Sequence, residues 1–266
     1  MLELIQGLPR GARVLDLGSG SGSFQTTRDD IGVIRLDVEI PAVRAPGAYV
    51  SADAARMPFR PRAFDLVIGN HSLEHFPALD ETLREIARIM QSGGVLYVAV
   101  PDVSTFTDRL YRWMAKGGGH VNAFDSEKEV IRRIERITGL PHRATRTLYT
   151  SLSFLNARNF KARPPRKIAL FANGNEDFLA ALTWFLRLLD RTFGSRLSVY
   201  GWSFYFGNID LPKVLEPWIN VCVRCGSGIS EDYLRKVGAV GPIPGVWDRY
   251  LCPICGGRNR FTRVNL

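Results

Sequence analysis

Asp16-Leu17-Gly18-Ser19-Gly20-Ser21-Gly22 sets an acid before three glycines at alternate positions. Glycine admits positive φ and lets backbone approach a ligand closely. Such a run can cradle a nucleotide-like molecule against backbone N–H groups. The dinucleotide fingerprint G-x-G-x-x-G needs its third glycine at position 23, where this chain has Ser23; the pattern present is D-x-G-x-G-x-G. More acceptors follow. Asp37 lies 21 residues beyond Asp16, a spacing suited to a ribose diol, because a carboxylate accepts two hydroxyl donors at once. Asp53 could accept from an amino group, and Asn70 offers an amide. His75 and His120 are candidate general bases, and each reads more readily as a loop-anchoring histidine bonded to a backbone carbonyl. Cys222-x-x-Cys225 and Cys252-x-x-Cys255, 26 residues apart and each followed by Gly, could supply the four corners of a structural zinc site. Two disulfides or free thiols are the alternatives.

These residues need a scaffold. Short apolar strands are expected at residues 13–17, 33–37, 48–53, 64–70 and 95–100, with further strands at 144–149 and 197–207. Helices are expected at 23–30, 79–90, 103–114, 126–138 and 176–193, and a short one at 230–237. Ser92-Gly93-Gly94 should end the second helix, and Ser126 with Glu129 forms a capping box for the fourth. Strands alternating with helices predict a doubly wound, mostly parallel sheet. Ligands of such sheets sit at the carboxyl ends of the strands, and Asp16, Asp37, Asp53 and Asn70 each close or follow their own strand. A Gly117-Gly118-Gly119 hinge before His120 could close over that edge.

With the glycine pattern, two further stretches carry a family resemblance. Ser51-Ala52-Asp53-Ala54-Ala55-Arg56-Met57-Pro58-Phe59 leads to Phe64-Asp65-Leu66-Val67 and Leu73-Glu74-His75, and Gly93-Gly94-Val95-Leu96 runs to Pro101. Over residues 12–150 the chain resembles the type 11 group of class I S-adenosylmethionine (SAM) methyltransferases. The resemblance implies a seven-stranded Rossmann-like sheet with an antiparallel last strand. It also implies SAM as co-substrate, held by Asp16, Gly18, Ser19, Gly20, Gly22, Asp37, Val38, Asp53, Ala54 and Asn70. His120-Val121-Asn122-Ala123-Phe124 is similar to a segment of small-molecule O-methyltransferases. Asn70-His71-Ser72-Leu73 lacks the proline-lined motif of enzymes that methylate base amino groups, which argues against that chemistry. The family pattern places a helix after the second strand, whereas residues 39–47 are short and broken by Pro41 and Pro46.

The 266 residues suffice for one large domain or two. The expected division is a methyltransferase domain over 1–210, with a basic insertion at about 156–196, and a zinc-ribbon-like module over 221–266. The net charge of +9 falls almost wholly after residue 150, where 16 Lys and Arg face 8 Asp and Glu. That basic part suits an anionic partner, RNA included, or simply a solvated surface. Arg158, Lys161, Arg163, Arg166 and Lys167 populate the insertion. In the module Arg224, Arg235, Lys236, Arg249, Arg258, Arg260 and Arg263 interleave with Trp247, Tyr250 and Phe261, as single-strand binders do. The apolar helix 176–193 could pack as a lid or lie on a membrane surface. No apolar run reaches the length of a membrane span, no export signal opens the chain, and four cysteines fit a reducing cytoplasm. The expected function is methyl transfer to an oxygen or nitrogen of a small molecule, glycan or lipid precursor. The alternatives are an RNA methyltransferase or a non-catalytic RNA- or protein-binding module.

Overall fold

The structure is a computed structural model that describes residues 1–114, 119–159, 164–165, 167–241 and 248–263. Gly117, Gly118, Lys161, Arg163, Arg166 and Trp247, singled out above, lie outside the described residues.

A short helix α1 (Leu2–Gly7) precedes β1 (Arg13–Leu17), β2 (Gly32–Asp37), β3 (Ala48–Ser51) and β4 (Phe64–Asn70). Then come α2 (Leu79–Ile89), β5 (Met90–Pro101), α3 (Phe106–Met114), α4 (Glu127–Thr138), β6 (His142–Tyr149), α5 (Glu176–Phe193) and β7 (Val199–Gly207). The seven strands form one sheet in the order β3-β2-β1-β4-β5-β7-β6. The pairs β3–β2, β2–β1, β1–β4 and β4–β5 are parallel. This is the doubly wound sheet expected from the alternation of elements. β1 and β4 are central, and Val14, Leu15, Leu17, Leu66, Val67 and Ile68 have no exposed surface, which explains their nearly continuous apolar runs.

The chain divides into two compact units. The first comprises Met1–Pro101, Gly119–Arg146 and Trp202–Leu215; the second comprises Asp102–Gly118, Thr147–Gly201 and Glu216–Leu266. In the first unit, α2 and α4 pack against the sheet through Leu79, Leu83, Ile86, Val130 and Ile134. Arg133 Nε donates to Asp80 Oδ1 across them at 2.8 Å. The Ser126 hydroxyl caps α4 by accepting from Glu129 N.

Two expectations fail in this unit. Residues 23–30 form no helix. Thr26, Thr27, Asp29 and Asp30 are poor helix interiors because their side chains compete for the backbone, and the Thr26 hydroxyl indeed accepts from Arg28 N. The Arg28 guanidinium pairs with Asp30 and donates to the carbonyls of Ile5, Gln6 and Leu8, tying the loop to α1. Nor do Ser92-Gly93-Gly94 cap α2. The helix ends at Ile89 and β5 begins at Met90. Phe64 pairs with Met90 and Leu66 with Val95, so the glycines form a bulge inside the strand. The bulge in turn requires glycine at position 207, where a Cβ would meet Gly94 O at 2.2 Å.

In the second unit, Leu110 and Met114 of α3, Leu179, Ala180 and Leu186 of α5, Leu152, Leu155 and Val223 form one core. A second core gathers Cys222, Ile229, Leu234, Tyr250, Cys252 and Phe261. Around it lie the ribbons β8 (Asn220–Val221) with β9 (Gly228–Ile229) and β10 (Val240–Gly241), β11 (Arg249–Leu251) and β12 (Arg258–Arg260), and helix α6 (Glu231–Lys236).

Candidate functional site

The turn after β1 separates its three glycines by role. All take positive φ: +64° at Gly18, +49° at Gly20 and +116° at Gly22. A Cβ on Gly18 would strike Ser72 Cβ at 2.5 Å, and one on Gly22 would strike Ala45 Cβ at 2.5 Å. A Cβ on Gly20 would meet nothing within 4 Å. Gly18 and Gly22 therefore let protein pack against the turn, while Gly20 leaves open space where a ligand can lie on bare backbone. Ser19, beside it, is buried.

Asp37 at the end of β2 reaches this open point, its Oδ2 accepting from Gly20 N at 2.7 Å. The Ser51 hydroxyl donates to Val38 O and Ala52 N donates to Asp37 O, drawing the end of β3 beside that of β2. Val38 stays exposed, Ala54 is buried, and Asp53 Oδ1 accepts from Ala55 N in a local turn. Asn70 ends β4, in register with Ala99 of β5. One edge of the sheet thus carries Gly20, Asp37, Val38, Asp53 and Asn70 on successive strand ends.

Asp16 differs from these. It is fully buried, and its Oδ2 accepts from Ser23 N at 2.9 Å and from the Arg35 guanidinium. Arg35 also donates to Pro46 O and Phe24 O and lies over the Phe24 ring. Burial pushes the Asp16 carboxyl above its ordinary value, outweighing the Ser23 amide and Arg35, which pull it down. Asp16 braces the turn from below. The loop after β2 braces it from the side, since Ala45 N and the Tyr49 hydroxyl both donate to Ser21 O.

The two candidate bases meet. The His75 and His120 rings stand edge to face, with centroids 5.0 Å apart. His75 Nδ1 lies 3.0 Å from Gly119 O, the carbonyl anchor weighed from sequence. His71, at φ +54°, lies nearby with its Nδ1 3.9 Å from Glu74 Oε1. Enclosure first, then the neighbouring His120 and His75, push the His71 imidazole down to about 4, although its side chain keeps 32% of its surface accessible.

The four cysteine sulfurs converge in the second unit. Cys222 Sγ lies 3.7 Å from Cys255 Sγ, and Cys225 Sγ lies 3.8 Å from Cys252 Sγ. Disulfide sulfurs would be ~2.05 Å apart, so no disulfide joins them. Four thiolates around a tetrahedral zinc at ~2.3 Å would stand ~3.8 Å from one another. Each pair sits on one tight turn: Gly226 N donates to Cys222 O and Gly256 N to Cys252 O. Arg224 N and the Asn259 amide point at Cys222 Sγ. Glu176 of α5 grips the cluster's turns, accepting from the Arg224 guanidinium and Arg258 N.

Several of these residues gave little signal in the sequence. Arg35 interrupts an apolar strand at a buried position, and that misplaced charge was its one mark. Glu74 stood inside a quoted motif without a role. Asn122, within the His120–Phe124 segment, gave no sign of its role: its amide donates to Leu73 O and Phe76 O and fixes the turn that carries His120. Among the module's cations, Arg224, Arg235, Arg258 and Arg263 are each paired with an acid.

Residues 15–98 match the family model described as a methyltransferase domain. A malonyl-[acyl-carrier protein] O-methyltransferase of Methylococcus capsulatus is 28% identical over 185 residues, covering 60% of this chain and 67% of that protein. One of the same name from Legionella pneumophila is 30% identical over 137 residues, covering 46% and 48%. The chain thus spans about half to two thirds of these relatives' length. Among solved structures, a SAM-dependent methyltransferase from Archaeoglobus fulgidus shares the fold, with a TM-score of 0.51, 15% identity, and 77% and 90% of the two chains covered. Residues 15–98 thus match a methyltransferase domain, and the seven-stranded sheet with its glycine turn opposite an acid has the fold of SAM-dependent methyltransferases. The candidate cofactor edge is the one formed by the ends of β1 to β4.

Proposed function

We propose that this chain transfers the methyl group of SAM to an oxygen or nitrogen of a small molecule, glycan or lipid precursor. The carrying observation is the open face of Gly20 against the Asp37 carboxylate. SAM, when bound, supplies an electrophilic methyl group on a sulfonium. In this reading the Gly18–Gly22 turn offers bare backbone to it and Asp37 accepts from its ribose hydroxyls. Asp53 and Ala54 line the adenine end, with Val38 beside them, and Asn70 faces the amino-acid end. Asp16, sealed by Arg35 and Ser23, acts as a brace. Such displacements draw much of their rate from proximity and alignment, so the edge's chief work is to hold the methyl in line with the acceptor.

An oxygen acceptor is favoured by the O-methyltransferase names of both relatives. A small acceptor is favoured over RNA because four of the module's arginines are engaged by acids of their own unit, and charge already paired contributes little to phosphate binding. The sulfur spacings support a structural zinc held by Cys222, Cys225, Cys252 and Cys255, which leave no open coordination position. The proposed organisation remains a methyltransferase domain over 1–210, with the insertion at 156–196, and a zinc-ribbon module over 221–266, in a reducing cytoplasm. Among the described residues no helix is long and apolar enough to cross a membrane.

Methyl-labelled SAM incubated with the protein and a cell extract tests the acceptor class. Label should enter material that resists nuclease and fractionates with small molecules, glycans or lipids. Label lost on ribonuclease treatment would replace this reading with an RNA methyltransferase. No transfer at all, with SAM bound, would replace it with a binding module.

A further inference from the structure

Glu74, His75 and His120 form a second cluster able to hold a metal, distinct from the cysteines. One ligand atom from each lies within 4.8 Å of the other two. Two imidazoles and one carboxylate form the donor set of zinc sites that keep an open coordination position.

The cluster is built by backbone. Glu74 and His75 belong to a single 3-10 turn, Leu73–His75, after β4. The segment bearing His120 is clamped onto that turn. Val121 N and Asn122 N both donate to Glu74 O, at 2.8 and 3.0 Å, and the Asn122 amide donates to the carbonyls of Leu73 and Phe76. His75 Nδ1 meets Gly119 O at 3.0 Å. With Nδ1–H donating to that carbonyl, Nε2 carries the free lone pair, the usual way a protein orients a ligating imidazole. Glu74 is 1% exposed, while His75 is exposed and leaves a route for an ion to enter. Ligand atoms around a zinc at ~2.0–2.1 Å stand ~3.4 Å apart, so small side-chain rotations close the site.

We propose that Glu74, His75 and His120 bind a divalent transition-metal ion, zinc by the chemistry of the donors. Four to five residues after Asn70, the site sits at the carboxyl end of β4, where open α/β sheets hold their ligands. An ion there would draw an acceptor's hydroxyl or carboxylate oxygen to itself and lower the pKa of a hydroxyl bound to it. That role rests on the methyl-transfer reading; the binding site does not.

The test is an equilibrium titration with Co²⁺, without SAM, of the whole chain carrying one equivalent of zinc in the cysteine cluster and none beyond it, followed by visible absorption. One equivalent should bind with the weak bands of nitrogen and oxygen donors and without an intense sulfur-to-metal band. Glu74→Gln and His120→Ala should each weaken it by at least about tenfold, while His142→Ala, outside the cluster, leaves it unchanged. Circular dichroism and the melting temperature establish that each variant is folded. If one variant fails to fold, the other decides. Absence of Co²⁺ uptake by the wild type, or wild-type affinity in a folded Glu74→Gln or His120→Ala, would overturn the proposal. Because SAM binding is measured separately, a missing metal site leaves the methyl-transfer reading standing, and the reverse also holds.

Discussion

The two halves of the sheet in the first unit are stabilised by different physics. On the β4–β5 side, α2 and α4 lay Leu79, Leu83, Ile86, Val130 and Ile134 over the strands. On the β1–β2–β3 side the connections at 18–31, 38–47 and 52–63 hold no helix. There a single guanidinium, Arg35, ties Asp16, Phe24 O and Pro46 O into one buried node. Leu15, Leu17 and Leu36 join the same apolar core, so the loop-bound half adds a polar hub to shared hydrocarbon, whereas the other half adds helices. The candidate cofactor edge spans both, and Gly20, with nothing within 4 Å of a Cβ there, lies on the loop-bound half. A turn that must take a ligand onto bare backbone leaves little room for a covering helix, and a buried charge fixes its shape instead.

Arg35→Met is the sharpest way to break that contrast. Removing one partner of a buried ion pair leaves the other charge uncompensated, so the loss should be ~3–5 kcal/mol in urea denaturation. A loss below ~1 kcal/mol would mean that the loops stand without the node. Leu83→Ala probes the helix-covered half. Leu83 has no exposed surface, and a cavity there should remove ~2–5 kcal/mol while leaving SAM affinity near wild type in the folded fraction. The two substitutions thus separate by function: Arg35→Met should weaken SAM binding as well as the fold, because Asp16 and the turn lose their brace.

Asp37→Asn should leave stability nearly unchanged and reduce SAM affinity by the strength of a charged hydrogen bond, ~1.5–3 kcal/mol by calorimetry. The smallest effect lies in the second unit, where Glu176 accepts from Arg224 and Arg258 N. Its carboxyl is held below the ordinary value: burial pushes it up, but Arg224, the Arg258 amide and Arg158 together pull it further down. A lowered folded pKa stabilises above the unfolded value of ~4.3. That contribution, on the order of 1 kcal/mol or less, should vanish only as pH falls below that value. Glu176→Gln should flatten the acid limb of a melting-temperature series.

The contrast also explains what could be read from the chain. The central strands announced themselves as short apolar runs, α2 by apolar spacing, α4 by its capping box and α5 by its apolar content, and α5 has the expected bounds of Glu176–Phe193. The cysteine turns were legible because each depends on residues within five positions of one another. Alternate glycines suggested a turn followed by a helix, and that helix is absent because Thr26, Asp29, Asp30 and Arg28 find local and carbonyl partners instead. Long-range polar contacts leave no periodic trace. Arg35 with Asp16, and Asn122 with Leu73 and Phe76, join positions 19, 49 and 46 residues apart, so the spacing that revealed Asp37 could not reveal them.

Isothermal titration of zinc-loaded protein with SAM, on wild type and Gly20→Val, tests the central claim most directly. The open left-handed glycine opposite Asp37 predicts one SAM bound per chain in the wild type. In the folded variant, where a β-branched side chain occupies the cradle and strains a φ of +49°, it predicts no detectable binding. Absence of binding to the wild type, or undiminished binding to Gly20→Val, would contradict it.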